Sequence, residues 1–288
     1  MSLAKTSHGS AQQRAGPAYG VPPVARAFKL LRHIAAGGSI ANMSLSARAL
    51  GISRTTLMRL IATLEAEQII ERKADGSGFG LGLGLVGLAG QALYASDLVQ
   101  VGDPVIAGLA RQLGLSSHIG VLDGTDVLYV GRRTPNAHLV SNVGIGSRLP
   151  AHATTMGRIM LAHLPPGAVE ALYSNKPLAR ITAKTPATLQ ALLGQCAIDR
   201  AAGVAWSDSH FEAGIASAAA VLFDRLGGTI GALNVTGPTA SFATHTGRHT
   251  EIGDAVRAAA NTISSRLGFT SRSQSAMSGD TSEPRRPQ

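Results

Sequence analysis

The chain has a single cysteine and no long apolar run. Cys196 is the only cysteine in 288 residues, which excludes an internal disulfide framework and a cysteine-rich zinc site. No apolar stretch reaches the roughly 18 residues of a membrane-spanning helix, and the first residues lack the apolar core of a signal peptide. Neither an amphipathic basic helix nor a lipidation signal is present. These absences predict a cytoplasmic protein with no membrane partner.

The positive charge is concentrated in the first part of the chain. The formal net charge is +9. Residues 1–80 contain 10 Lys and Arg against 4 Asp and Glu, whereas residues 81–267 contain 13 against 11. A basic surface attracts nucleic acid because binding releases the counterions of the phosphates. The charge distribution therefore favours a nucleic-acid partner for the N-terminal segment.

Residues 44–81 have the pattern of a winged helix-turn-helix. A short helix over 44–50 is predicted to direct three apolar residues towards a core: Leu45, Ala47 and Leu50. Gly51 supplies the backbone freedom for a sharp turn, Ile52 fills the corner between two helices, and Ser53 can cap the next helix. That helix is predicted to bury residues at helical spacing: Leu57, Leu60, Ile61 and Leu64.

The opposite side of this second helix carries hydroxyl and guanidinium groups. Short hydroxyls allow close approach to DNA, and guanidinium groups suit guanine edges in the major groove. A hairpin with strands over 69–72 and 79–81 follows, and its tip could touch phosphate or the minor groove. The predicted DNA-binding residues are Ser53, Arg54, Thr55, Thr56, Met58, Arg59, Arg72 and Lys73. The alternative is a plain helical hairpin with a solvated basic face.

The remaining pattern predicts an α+β domain between disordered tails over 1–20 and 268–288. A first helix over 24–36 carries an apolar stripe formed by Val24, Phe28, Leu31 and Ile34. Residues 82–98 are apolar and predict a helix that links two domains. Further helices are predicted over 104–113, 155–164, 166–173, 186–202 (capped by Thr185) and 246–267. Strands are predicted over 116–122, 127–132, 138–143, 215–223 and 229–236.

Over residues 21–267 the chain resembles the IclR family of transcriptional regulators. The resemblance is carried, in order, by VPPVARAFKLLRHIAAGG, GFGLGLGLVGLA, GSRLPAHATTMGRIMLAHLP and AAGVAWSDSHFEAGIASAAAVLFDRLGGTIGALNVTGP. It implies a winged helix-turn-helix over 21–81, a linker helix over 82–98 and a GAF-like α+β effector-binding domain over 99–267. It also implies a homodimer or homotetramer. Two copies of one DNA-binding helix predict a two-fold operator in double-stranded DNA.

A ligand site is predicted where a helix begins after Leu149-Pro150-Ala151-His152-Ala153. Free backbone amides at a helix start suit a carboxylate. Alternation along a strand places Asn234 and Thr236 on one face. Together with the resemblance, this indicates the effector-binding residues Leu149, Thr155, Met156, Ser207, Ser217, Asn234 and Thr236. Alternatively, the polar side chains only face water. Ser209 and His210 replace an acidic pair common in the family, which favours an anionic ligand.

The predicted function is that of a sequence-specific DNA-binding regulator whose operator affinity or activity is controlled by a small organic acid. The alternative is a small-molecule-binding protein or hydrolase whose N-terminal helices serve only dimerisation. Gly82, Gly84 and Gly87 spell GxGxxG, but no βαβ unit surrounds them. His152, Ser207, Asp208 and His210 could be combined into a hydrolytic triad or a metal site. However, no GxSxG nucleophile elbow surrounds a serine, and the spacing is not that of metal ligands on a helix. No catalytic residue, metal or cofactor is predicted.

Overall fold

The computed structural model describes residues 20–135, 143–242 and 247–270 of the chain. It divides into two compact units after Ala92. Nearly all of the predicted tails, 1–20 and 268–288, and of the predicted strand over 138–143 lie outside the described residues. Phe269 lies within them, and its ring stacks on that of Phe223 at a centroid distance of 5.0 Å. Packed residues therefore extend beyond residue 267.

Three helices and a hairpin make up most of the first unit. Their bounds are α1 (Pro22–Ala35), α2 (Met43–Leu50), α3 (Arg54–Ala66), β1 (Ile70–Arg72) and β2 (Phe79–Leu81). The two strands are antiparallel, with Glu71 opposite Gly80. Every element contributes to one apolar core, which includes Leu30, Ile34, Ala47, Leu50, Leu57, Ile61, Ile70 and Phe79. This order of elements is that of a winged helix-turn-helix, as predicted.

The predicted core position of Leu45 is wrong. Its side chain is 64% exposed, whereas the adjacent Ser46 is buried. The hydroxyl of Ser46 donates to the carbonyl oxygen of Asn42 at 2.8 Å and to that of Ser39 at 3.2 Å. Because these backbone acceptors satisfy the hydroxyl, the small polar residue can face the core in place of the leucine.

The apolar stripe predicted on α1 coincides only in part with the observed core face, where Ile34 is buried and Leu31 packs against the core. Leu30 and Ile34, four residues apart, are the buried residues of this helix. Val24 and Phe28 are 52% and 53% exposed. A helix this apolar has more than one apolar face, and the periodicity alone did not determine which face meets the core.

Residues 82–98, predicted as one linker helix, contain the whole of one helix and the start of another. Helix α4 spans Leu83–Tyr94, and α5 spans Asp97–Leu113. Helix α5 therefore begins before Pro104, where a helix start had been predicted. Asp97 lies in its first turn, where a negative charge is favourable. Among the described residues, no helix is long and apolar enough to cross a membrane.

The second unit is built on a six-stranded sheet in which every neighbouring pair is antiparallel. The strand order is β5-β4-β3-β8-β7-β6. The strands are β3 (Ser116–Asp123), β4 (Asp126–Arg133), β5 (Arg148–Pro150), β6 (Ala205–Asp208), β7 (Ile215–Phe223) and β8 (Thr229–Pro238). The two short edge strands, β5 and β6, were not predicted because three or four residues show no periodicity.

Helices cover both faces of this sheet. On one face, α5 and α9 (Arg248–Arg266) pack on a core that includes Ile106, Ile119, Leu233, Val235 and Ile263. On the other, α6 (Thr155–Ala162), α7 (Ala168–Tyr173) and α8 (Leu189–Ala202) enclose a second core that includes Val127, Tyr129, Met156, Leu192 and Cys196. The result is an α+β unit with two cores.

The start of α8 differs from the prediction. Thr188 caps this helix, and its hydroxyl oxygen accepts from the amide of Ala191 at 3.1 Å. Thr185, the predicted cap, instead donates through its hydroxyl to the carbonyl of His210 at 2.6 Å. The threonine is therefore used in a tertiary contact, which a local capping pattern does not indicate.

Candidate functional site

Helix α3 is held by a turn and a cap that the sequence predicted. Gly51 ends α2 with a φ of +64°, a left-handed conformation that favours glycine. Ser53 accepts a hydrogen bond from the amide of Thr56 at 3.1 Å, and the two hydroxyls lie 2.8 Å apart. Leu57 and Ile61 then anchor the helix in the core. These contacts fix the orientation of the opposite face.

That opposite face presents free side chains to solvent. Arg54, Thr55, Met58 and Arg59 are all exposed, whereas Thr56 is half-buried beside Ser53. No ion pair or side-chain hydrogen bond within the described part of the chain engages Arg54 or Arg59. Thr56 consequently serves the cap, and the two arginines are available to a partner.

The two basic residues of the hairpin differ in their surroundings. The Arg72 guanidinium donates to the Glu65 carboxylate on α3, with Nε to Oε1 at 2.9 Å, and lies 4.9 Å from the centroid of the Phe79 ring. Lys73 is exposed at the hairpin turn. Arg72 therefore leans back along the hairpin towards α3, and Lys73 presents its charge at the turn.

A groove beside the start of α3 adds two basic residues that the sequence analysis missed. Arg26 on α1 and Arg48 on α2 line it together with Ser53 and Thr56. Both arginines are exposed. Phosphate contacts to DNA come from such groups around the helix that enters the groove. The excess of basic residues in this segment was the available signal.

The second unit contains a polar row on the sheet face that meets α6. His118 on β3 lies opposite Asn234 on β8, and Ser217 on β7 lies opposite Thr236. His118 Nδ1 is 2.9 Å from Asn234 Oδ1, and Asn234 Nδ2 donates to Ser217 Oγ at 3.2 Å. Thr236 donates to the carbonyl of Ala216 at 3.1 Å. Adjacent strands thus connect His118, Asn234 and the half-buried Ser217 through hydrogen bonds.

The first turn of α6 faces this row. Thr154 caps the helix by accepting from the Gly157 amide at 3.1 Å, and the Thr155 hydroxyl lies 2.8 Å from Ser217 Oγ. The amides of Thr155 and Met156 have no intrahelical acceptor because of their position in the turn. A Cβ on Gly157 would lie 2.1 Å from the carbonyl oxygen of Ala151, so glycine permits the close approach of this helix start.

A cavity lies between the helix start and the polar row. The cavity is partly open, and its atom-free space, with the solvent at its mouth included, is about 500 Å³. Six of the seven predicted effector-binding residues line it: Leu149, Thr155, Ser207, Ser217, Asn234 and Thr236. The seventh, Met156, has a fully buried side chain in the second core. Its backbone amide remains in the first turn of α6.

Sequence reasoning missed several lining residues, which include His118, Tyr129, Thr154, Phe211 and Glu212. His118 is 1% exposed, and its burial lowers its pKa to about 4. A histidine within a predicted buried strand was the available signal. Glu212 is exposed and adds a carboxylate to the lining, so the absence of an acidic pair at Ser209 and His210 does not remove negative charge here.

The groups considered for catalysis or metal binding do not form a triad: Ser207 Oγ accepts from the backbone amide of His210 at 3.3 Å. His152 contacts the carbonyl of Ala179 at 3.0 Å, and Asp208 pairs with Lys184 at 2.5 Å. Ser207 lines the cavity, whereas neither His152 nor His210 does. Within the described ranges no cluster of three His, Cys, Asp or Glu could hold a metal ion. The arrangement supports ligand binding through hydrogen bonds.

Two of the three glycines of the GxGxxG match, Gly82 and Gly84, have a packing role. The amide of Gly82 donates to the carbonyl of Ile69, and that of Gly84 donates to the carbonyl of Gln68. A Cβ on Gly82 or Gly84 would lie 2.3 or 2.8 Å from the same Gln68 oxygen. These glycines join the hairpin to α4, as predicted, and no βαβ phosphate loop surrounds them among the described elements.

Comparison with known proteins assigns both units. The family described as "Bacterial transcriptional regulator IclR C-terminal" matches residues 90–265, and "IclR helix-turn-helix domain" matches residues 23–74. The HTH-type transcriptional regulator KdgR of Dickeya chrysanthemi is 26% identical over 249 residues, which cover 86% of this chain and 81% of that protein. XynR of Escherichia coli K12 is 27% identical over 187 residues, or 65% and 74% of the two chains.

Solved structures agree with these matches. A protein of Rhodococcus sp. RHA1, described as a transcriptional regulator, is similar with a TM-score of 0.77 and 29% identity over 86% of this chain and 98% of its own. An IclR homologue of Microbacterium hydrocarbonoxydans in complex with 4-hydroxybenzoate is similar with a TM-score of 0.73 and 26% identity over 85% and 98%. The chain belongs to the IclR family and is a DNA-binding transcriptional regulator with a C-terminal ligand-binding domain, not an enzyme.

Proposed function

We propose that this regulator binds a two-fold operator as a homodimer or homotetramer and that a small organic acid in the cavity controls its operator affinity. The observation that carries the proposal is a cavity with hydrogen-bond donors at a helix start, in a chain that also presents free arginines on α3. Because operator DNA is cytoplasmic, the proposal places the protein in the cytoplasm. Each element of it has a separate test.

Operator recognition is assigned to the exposed face of α3. Arg54 and Arg59 have no partner among the described residues, so neither has to break a protein contact to reach a guanine edge. Arg26, Arg48 and Lys73 are placed to contact phosphate. One unit thus carries one set of side chains for contacts with bases and another set for contacts with the phosphate backbone.

Substitution of the arginines tests this assignment. Arg54→Ala or Arg59→Ala should weaken binding to a selected operator by about 1–3 kcal/mol and relax specificity at one base pair. Lys73→Ala should instead weaken binding to all sequences about equally and reduce its salt dependence. Fluorescence anisotropy with operator and scrambled duplexes measures both effects. Arginine variants that bind the operator like the parent would show that α3 does not contact bases.

Dimerisation is assigned to the exposed apolar residues of α1 and α4. Val24 and Phe28 on α1 are more than half exposed, as are Leu83, Val86 and Leu88 on α4. Surfaces of this kind are usually covered by a partner in solution. A second copy of the same surface is the partner that a two-fold operator requires.

Charge introduced into this surface tests the assignment. Phe28→Asp in the full chain should lower the average mass seen in sedimentation and weaken operator binding, because two half-sites are then bound independently. Leu226→Asp is the matched control, since Leu226 is 72% exposed on a turn of the second unit. An unchanged mass for Phe28→Asp would assign assembly to a different surface.

The acid is assigned to the start of α6. Its carboxylate would accept from the amides of Thr155 and Met156 and from the Thr155 hydroxyl. The Microbacterium hydrocarbonoxydans relative, of the same fold, is in complex with an aromatic acid, 4-hydroxybenzoate. That complex supports an acid as the ligand class. A tenfold change in operator affinity needs only about 1.4 kcal/mol of preference for one conformation.

A pair of isosteric variants tests the acid site. Thr155→Val removes a hydroxyl at the cavity, whereas Thr229→Val removes one at the far end of β8. We expect the first to weaken binding of a responsive acid about tenfold or more, and the second to leave it unchanged. Trp206, the single tryptophan, precedes Ser207 of the cavity and provides a fluorescence signal. Equal effects of both variants on acid binding would place the acid elsewhere.

A further inference from the structure

One buried side-chain nitrogen at the cavity has no hydrogen-bond partner among the described residues. His118 is 1% exposed and lines the cavity, and its Nε2 makes no hydrogen bond within the described residues. Its ring is held edge-on to the Tyr129 ring at a centroid distance of 5.5 Å. A buried polar atom without a partner destabilises the unit unless a further group supplies the hydrogen bond. Because this atom lies at the cavity, a bound ligand can supply that hydrogen bond.

The hydrogen bonds around His118 determine what its Nε2 can do. Asn234 Nδ2 donates to Ser217 Oγ, so the amide presents its oxygen to His118 Nδ1 at 2.9 Å. An amide oxygen only accepts, and His118 Nδ1 must therefore carry a hydrogen. Burial lowers the pKa of His118 to about 4, so the ring is neutral and has one hydrogen. Its Nε2 is consequently an acceptor.

The same chain of hydrogen bonds continues to α6. Ser217 Oγ accepts from Asn234 and lies 2.8 Å from Thr155 Oγ1, and either hydroxyl can donate in that contact. The backbone amides of Thr155 and Met156 supply donors on this side of the cavity. The side formed by His118 accepts. The exposed carboxylate of Glu212 is a further acceptor in the lining.

We propose that the effector is a hydroxy acid, in which His118 Nε2 accepts a hydrogen bond from a hydroxyl group at the end of the ligand remote from its carboxylate. The inference deepens the proposed function and rests on it, since it requires an acid in this cavity. His118 is then the residue that selects a hydroxylated acid over the same acid without the hydroxyl. A site that hydrogen-bonds a hydroxyl discriminates strongly, because the analogue without it leaves the buried acceptor unpaired.

The protonated nitrogen of His118 can be observed without any ligand. Long-range 1H–15N spectra of the full-length protein, labelled with 15N-histidine, distinguish a protonated from an unprotonated ring nitrogen. The His118→Gln variant identifies the signals. We expect hydrogen on Nδ1 and none on Nε2 at neutral pH. Hydrogen on Nε2 would reverse the chain of hydrogen bonds and overturn the proposal.

Matched acids test the selectivity. Calorimetry on the full chain would compare benzoate, 3- and 4-hydroxybenzoate and the corresponding methoxybenzoates, which accept but do not donate. One hydroxybenzoate should bind at least tenfold more tightly than benzoate and than its own methyl ether. In His118→Phe this preference should fall to about onefold, and a circular dichroism spectrum like that of the parent checks that the variant is folded.

The outcomes separate the two proposals. If benzoate and the hydroxybenzoates bind with equal affinity, the acid site stands and the hydroxy-acid inference is overturned. A methyl ether that binds as tightly as its hydroxyl parent has the same meaning. If none of the acids binds, the acid site itself is overturned, and the inference that depends on it falls as well.

Discussion

The two compact units place their functional polar residues in opposite environments. In the first unit, Arg54 and Arg59 lie in solvent and have no described partner. In the second, His118 and Asn234 are buried, and the two are hydrogen-bonded to each other. Exposed groups can bind DNA while contributing little to folding. Buried groups must stabilise the fold and contact a ligand at the same time.

This difference determines how substitutions should be interpreted. A loss of DNA binding by an α3 variant reports on contacts with DNA, because exposed substitutions change stability little. A loss of ligand response by a cavity variant also includes the cost of an unpaired buried group. Cavity variants therefore need unfolding measurements beside binding measurements.

Arg158 and Arg59 provide the sharpest contrast between two residues of one type. Arg158 has a fully buried side chain, donates from Nε to Asp199 Oδ2 at 2.8 Å and from Nη2 to the Trp206 carbonyl at 2.5 Å. Arg158→Met leaves the Asp199 carboxylate buried without its cation and should lower the free energy of unfolding by about 3–5 kcal/mol. Urea denaturation measures this change.

The matched controls for Arg158 are in both units. Arg59→Met, on the exposed face of α3, should change the free energy of unfolding by less than about 0.5 kcal/mol. Adding Asp199→Met to Arg158→Met should recover most of the loss, because the orphaned charge is removed. Similar losses of unfolding free energy for Arg158→Met and Arg59→Met would show that burial does not determine the effect of these substitutions.

The buried histidine should make the second unit sensitive to acid. Burial first, and the nearby Arg132 cation as well, lower the pKa of His118 to about 4, against a hydrogen bond to Asn234 that raises it. The folded state thus binds fewer protons than the unfolded state. The contribution of neutral His118 to the free energy of unfolding is complete above pH 6.5. It is lost as the pH falls towards 4, by on the order of 3 kcal/mol.

Comparison with His118→Gln isolates this contribution. Free energies of unfolding would be measured for both proteins from pH 7 to pH 4, and the contributions of other groups cancel in the difference. The parent should lose more stability than the variant over this interval. His163→Gln provides a second test of the same effect, because burial also lowers the pKa of His163. Parallel pH profiles for the parent and His118→Gln would refute the prediction.

The helix cap is the largest single side-chain contribution expected at the start of α3. Ser53→Ala removes the acceptor for the Thr56 amide and should lower the stability of the first unit by about 1 kcal/mol. Ser44→Ala removes an exposed hydroxyl from α2 and should have almost no effect. Thermal unfolding followed by circular dichroism compares the two variants. Equal melting temperatures would show that the cap is dispensable.

Local features of the first unit were predictable because they depend on neighbours in sequence. Gly51, Ser53 and the spacing of Leu57 and Ile61 each specify their conformation within one or two turns of chain. Where a helix has two apolar faces, as α1 has, the pattern was not sufficient. Leu30 lies in the core and Phe28 in solvent, and that choice depends on the elements packed against α1.

The candidate cavity was predicted in part for the same reason. Asn234 and Thr236 alternate along one strand, and Thr155 begins a helix, so both features follow from local sequence. His118 was missed because a histidine within a predicted strand, the available signal, does not by itself specify a ligand. Its significance lies in the contact with Asn234, which is 116 residues away.

The sequence by itself determined the class of this protein: a winged helix-turn-helix with free arginines on one helix, followed by an α+β domain of the IclR family. Hydrophobic spacing, caps and turns determine such elements because their energetics are local. Only the tertiary structure decided which polar groups meet. The register of β3, β7 and β8 brings His118, Asn234 and Ser217 together, and the close approach that Gly157 permits places Thr155 beside them. Contacts of this kind depend on packing between distant segments, which no local pattern specifies.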